Sequence, residues 1–111
     1  MEKKHQIFIV EDHQLFREGL KSMLKKRADI EIVGEAEDGL EAVRRIRKAR
    51  PELVLLDLSM PKMGGISVMK EVKRDLPETR ILALTIHESD QYVLEAFESG
   101  ADGYCIKDAS R

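Results

Sequence analysis

The sequence predicts an α/β domain built on a parallel sheet with helices over both faces. Three observations lead there. Short apolar runs alternate with longer amphipathic stretches, two of the runs are apolar at nearly every position, and no repeat, linker or low-complexity segment interrupts the order. A length of 111 residues suits one such domain with one core. An apolar share of 42% beside a charged share of 36% describes an ordinary folding chain.

The strand runs are Gln6–Val10, Ile30–Val33, Leu53–Leu56, Ile81–Leu84 and Gly103–Ile106. The third and fourth are the near-continuous apolar ones, as expected of central parallel strands covered on both sides. Between the runs, apolar residues recur at helical spacing: Leu15, Phe16, Leu20, Met23 and Leu24, then Leu40, Val43 and Ile46, then Ile66, Met69, Val72 and Leu76. Asp38 and Glu41 have capping-box spacing at the second helix start, and Ser89 is placed to cap a fourth helix running through Val93 and Phe97 to Gly100. The order is βαβαβαβαβ, and right-handed crossovers lay each helix back on a doubly wound sheet. Only Lys107–Arg111 follows the fifth run, so the final helix of such a fold is expected to be absent.

Charge and composition exclude several functions. Nineteen basic residues against 21 acidic ones leave a net charge of −2, which gives no general attraction to nucleic acid or anionic membrane. The basic stretches Lys25–Arg27 and Arg44–Lys48 read as solvated helix faces. No apolar run approaches the ~20 residues of a membrane helix, and Met1–Lys4 leads into a strand rather than a signal peptide. A cytoplasmic protein without membrane contact is expected. The single cysteine, Cys105, forms no internal disulfide and is expected to pack. His5, His13 and His87 lie on separate segments without the paired spacing of a transition-metal site.

In open parallel sheets the ligand site lies beyond the carboxyl ends of the strands, where the winding reverses. Glu11 and Asp12 end the first run, Asp57 the third, Thr85 the fourth and Lys107 the fifth. Three converging carboxylates repel one another, and a divalent cation relieves that repulsion. Oxygen-only ligands favour a hard ion such as Mg²⁺. An acidic metal site beside an ammonium and a hydroxyl suits phosphoryl transfer, with the Asp57 carboxylate as nucleophile.

These residues resemble the receiver domain of two-component response regulators over essentially the whole chain. The resemblance rests on an ordered set: Glu11-Asp12, Asp57 within Asp57-Leu58-Ser59-Met60-Pro61-Lys62-Met63-Gly64-Gly65, then Thr85, then Lys107. It implies a flavodoxin-like fold with strand order 2-1-3-4-5, and phosphorylation of Asp57 by a histidine kinase or a small phosphodonor. It also implies Mg²⁺ held by the Asp12 and Asp57 side chains and the Ser59 backbone carbonyl, with Glu11 acting largely through water. Thr85 would move toward the phosphoryl group, and Tyr104 matches the aromatic that turns inward behind it.

Val10–His13, Phe16–Leu20 and Gly100–Asp108 resemble the NarL/LuxR-type branch. That branch usually joins its receiver to a C-terminal helix-turn-helix domain. Residues 1–111 are therefore expected to be a receiver cut before its last helix and any DNA-binding domain, with DNA reached only through that outside module. A homodimer is a further candidate assembly. Two positions depart from the common receiver pattern. Bulky Ile86 follows Thr85 where a small residue is frequent, which bears on phosphodonor access. Asp108 replaces a proline after Lys107, so no cis bond is expected there, since without proline it costs about 3–4 kcal/mol. His87 falls at the mouth of the site, a position from which it could influence dephosphorylation.

Two rival functions are open to the same residues. A Mg²⁺-dependent phosphohydrolase would use Asp57 as a rapidly recycled nucleophile, but it usually needs a second acid/base carboxylate and a cap, which neither Leu58-Ser59 nor the chain length offers. A phosphorylation-independent interaction module would not need three clustered carboxylates. The expected role is a phosphorylation-controlled switch and not an enzyme.

Overall fold

A computed structural model describes residues 4–58, 64–85 and 90–106. Strand β1 (His5–Val10) is followed by α1 (Gln14–Lys25), β2 (Ile30–Ala36), α2 (Gly39–Ala49) and β3 (Leu53–Asp57). Helix α3 (Gly65–Asp75), β4 (Arg80–Thr85), α4 (Asp90–Glu98) and β5 (Gly103–Ile106) complete the order. The strands form one sheet in the order β2-β1-β3-β4-β5, and every neighbouring pair is parallel. This is the flavodoxin-like arrangement expected, and no helix follows β5 among the described residues.

The two faces of the sheet bury separate apolar sets. Phe8, Val10, Val54, Leu56, Ile81 and Ala83 point to the side covered by α2, α3 and α4, where they meet Ile46, Val68, Met69, Val72 and Ala96. Ile7, Ile9, Leu55 and Leu84 point the other way and pack with Phe16, Leu20 and Leu24 of α1. Both sets alternate along β1, β3 and β4, which is why those strands read as unbroken apolar runs.

The α1 stripe is narrower than its composition implies. Phe16, Leu20 and Leu24 pack, whereas Leu15 and Met23 are 78% and 62% exposed. Residues at i, i+4 and i+8 share one face, and the other two fall off it. Leu40 on α2 is likewise exposed, while Val43 and Ile46 are buried. Cys105, expected to pack, is exposed on the strand at the sheet edge.

Helix ends follow local chemistry. Asp38 accepts the Glu41 N–H at 2.9 Å, which is the forward half of the expected capping box. At the far end of α4, the Ala101 N–H reaches the Ala96 carbonyl and Gly100 takes a φ of +124°, a Schellman-type stop that requires glycine. The expected Ser89 cap lies outside the described residues.

Strand β2 runs three residues beyond its expected end at Val33. The extension passes through an irregularity: Ile7 pairs with Ile32, but Phe8 pairs with Gly34. One extra β2 residue is accommodated there, and the side-chain phase of the strand inverts. Ile30 and Ile32 face α1 before the bulge. After it Ala36 joins the opposite core, and Glu35 is the residue aimed at α1. Gly34 tolerates the close approach because a Cβ there would lie 2.5 Å from the Phe8 ring.

Candidate functional site

Strand order places the reversal of winding between β1 and β3, where α1 leads away from β1 to one face and α3 leads away from β3 to the other. In open parallel sheets the carboxyl ends of the two strands at such a point are where a ligand binds. Glu11 and Asp12 leave β1 at that rim, and Asp57 is the last residue of β3. One carboxylate oxygen from each of the three lies within 4.8 Å of the others. Glu11 is fully buried, Asp57 is 3% exposed, and Asp12 faces solvent.

Each backbone around the centre is held. The Glu11 N–H donates to the Ala36 carbonyl at 3.1 Å, and its carboxylate accepts the His13 N–H at 3.1 Å. Leu58, directly after Asp57, donates its N–H to the Leu84 carbonyl at 2.9 Å, tying β3 to β4 one residue before Thr85. Helix α3 then begins against this floor. A Cβ on Gly65 would lie 2.4 Å from the Leu58 Cα and 3.0 Å from the Asp57 carbonyl oxygen, so glycine is what lets the helix start there.

Thr85 ends β4 fully buried, and its side chain is hydrogen-bonded to Tyr104 of β5. Burial pushes the Tyr104 phenol above its ordinary value, and the bond with Thr85 pulls it part of the way back. The Tyr104 ring also meets Phe97 of α4, with centroids 6.2 Å apart and planes tilted by 35°. A hydroxyl at the acidic rim is thus linked through one aromatic to the surface of α4. Of the other expected site residues, Ser59 and Lys107 lie outside the described residues, as do Ile86, His87 and Asp108.

The donor set suits a hard cation. It offers oxygen only, two of its three carboxylates are buried, and the third opens to solvent where an ion can keep part of its water shell. The observed arrangement therefore fits Mg²⁺ or a similar ion.

Comparison with known proteins agrees with this geometry. The family description "Response regulator receiver domain" matches residues 7–111. The chain belongs to the response regulator receiver family. Among relatives of this receiver, the transcriptional regulatory protein DegU of Brevibacillus brevis is 39% identical over 107 residues, covering 96% of this chain and 45% of DegU. The response regulator protein VraR of Staphylococcus aureus is 38% identical over 104 residues, 94% of this chain and 50% of its own. The receiver thus spans about half the length of the curated relatives it matches.

Solved structures agree as well. A LuxR-family two-component response regulator from Aurantimonas superposes with a TM-score of 0.90 at 36% identity, covering 96% of this chain and 76% of that one. The signal receiver domain of the putative response regulator NarL from Mycobacterium tuberculosis gives 0.90 at 37%, covering 96% and 86%. The chain is a receiver of the LuxR/NarL type and its role is regulatory. Among the described residues no helix is long and apolar enough to cross a membrane.

Two residues of the site were not singled out by sequence. Gly65 lies inside the motif that carries the resemblance, but its closeness to Leu58 appears only when α3 is docked. Arg17 lies inside the Phe16–Leu20 segment that resembles the NarL/LuxR-type branch, with no role of its own read there, yet it is 6% exposed behind the acidic rim.

Proposed function

We propose that Asp57 is the phosphoacceptor of this receiver and that a histidine kinase supplies the phosphoryl group. The convergence of Glu11, Asp12 and Asp57 within 4.8 Å at the switch point supports this reading. An Asp57 carboxylate oxygen attacks phosphorus, the bond from phosphorus to the donor breaks, and an acyl phosphate forms with the donor nitrogen or oxygen as leaving group. The Asp12 and Asp57 side chains and the Ser59 carbonyl would hold Mg²⁺, with Glu11 acting through water. When bound, the ion supplies charge neutralisation for the phosphoryl oxygens.

The Lys107 ammonium and the Thr85 hydroxyl are the remaining donors for those oxygens. Drawing Thr85 toward the phosphoryl group breaks its bond with Tyr104, so the aromatic turns inward and the α4–β5 surface changes shape. A switch from 1:99 to 99:1 needs about 5.5 kcal/mol of differential interaction. Two or three charge-assisted hydrogen bonds at about 1.5–3 kcal/mol each reach that range. Such relatives as DegU carry the name of transcriptional regulators, and the output proposed here is transcription through a DNA-binding domain outside this chain.

The test is labelling by acetyl phosphate with Mg²⁺. Wild type is expected to gain one phosphoryl group and Asp57→Ala none, with both proteins giving the same circular dichroism. Undiminished labelling of folded Asp57→Ala overturns the assignment.

A further inference from the structure

Arg17 is the one strongly buried cation among the described residues, at 6% exposure. Its guanidinium donates in three directions. Nε reaches Glu35 at 2.9 Å and Nη2 reaches Glu37 at 3.2 Å, while Nη1 donates to the backbone carbonyl of Glu11 at 2.7 Å. The third contact points to function. That carbonyl belongs to the peptide unit joining Glu11 to Asp12, and both residues contribute carboxylates to the acidic centre.

Rotation of this peptide unit would swing the Asp12 Cα–Cβ bond, and with it the only solvent-facing carboxylate of the three. The N–H and carboxylate of Glu11 are already held by Ala36 and His13. Arg17 holds the remaining polar group of that residue. The second anchor of the guanidinium is fixed in turn, because the other oxygen of Glu35 accepts from Lys21 at 2.7 Å. An arginine suits this place because its planar fork serves several acceptors in set directions, whereas an ammonium is a compact point charge on a flexible stem.

We propose that Arg17 is a positioning residue of the acidic centre: it fixes the Glu11–Asp12 peptide so that the Asp12 carboxylate is aimed at the cation. The inference rests on the metal reading given above. The bulge in β2 is part of the same device, because the inverted phase of the strand is what turns Glu35 toward Arg17. A merely structural arginine would tie α1 to β2 and leave cation affinity unaltered in a folded variant.

Mg²⁺ titrations by calorimetry and by backbone amide shifts separate the two roles. Arg17→Met is expected to weaken Mg²⁺ binding by about tenfold, the usual effect of losing an outer-shell partner, with Arg17→Lys in between. Lys73→Met serves as the control, since it removes the contacts of α3 with Thr79 and Asp102 and leaves the Arg17 network intact. It is expected to lower the melting temperature yet keep Mg²⁺ affinity within about twofold of wild type. Wild-type affinity in folded Arg17→Met overturns the proposal, as does an equal loss in Lys73→Met. If Arg17→Met does not fold, Arg17→Lys decides, and wild-type affinity there overturns the proposal too. Failure of the wild-type protein itself to bind Mg²⁺ removes the metal reading and this one with it, whereas wild-type binding matched by Arg17→Met removes only this one.

Discussion

At position 65 a hydrogen atom stands where any other residue would place a carbon against the backbone of Leu58. Leu58 follows the proposed phosphoacceptor, so crowding there is transmitted straight to Asp57. Gly65→Ala is expected to cost about 1–3 kcal/mol, the range for overpacking a filled site. Acetyl phosphate labelling of the folded fraction should fall with it, and urea melts beside labelling time courses would measure both. The Thr85–Tyr104 bond allows a second measurement. Burial raises the phenol and the bond to Thr85 lowers it, so Thr85→Val should raise the Tyr104 pKa further. Absorbance titration in a Tyr92→Phe background would show it, and an unmoved or lowered value would mean that the bond is not made in solution.

Among the elements, β1, β3, β4 and β5 were legible because their apolar runs match strand length and lie between helical periods. β2 was legible only to Val33. A bulge has no signature in hydrophobic periodicity, and Gly34 followed by Glu35 looks like a strand ending rather than a phase inversion. Arg17 was hidden for the same reason, since its burial depends on where Glu35 points. The rim residues Glu11, Asp12, Asp57 and Thr85 were readable from strand ends alone. The α1 face was overestimated, as helical spacing does not say which of five apolar residues meets the sheet. Gly34→Ala would force a carbon into the Phe8 ring, which is 1% exposed. A loss of about 1–3 kcal/mol is expected in denaturant unfolding, together with weakened protection of the β1–β2 amides in hydrogen exchange.

For the molecule as a whole, ion pairs join elements distant in sequence and give stability an acid limit. The Lys21 hydrogen bond, aided by Arg17 and working against burial, holds Glu35 below its ordinary range. Burial works against ionisation of Asp102, but Lys73 and the Ile81 N–H outweigh it and lower this carboxyl as well. Asp75 is lowered first by Arg47 and then by Arg74. Because the folded values are depressed, the unfolded chain takes up protons first as pH falls. The contribution is complete above the ordinary carboxylate range, about pH 4, and is lost as pH drops through the lowered values. Melting temperature should therefore decline steeply below about pH 4, and Glu35→Gln with Asp102→Asn should flatten that decline. The exposed thiol of Cys105 has a practical consequence of its own. It is the only cysteine in the chain and sits one residue from Tyr104. A maleimide fluorophore or spin label would attach at a single place without prior mutagenesis, and it would test the turning proposed for the aromatic from the adjacent position on the edge strand.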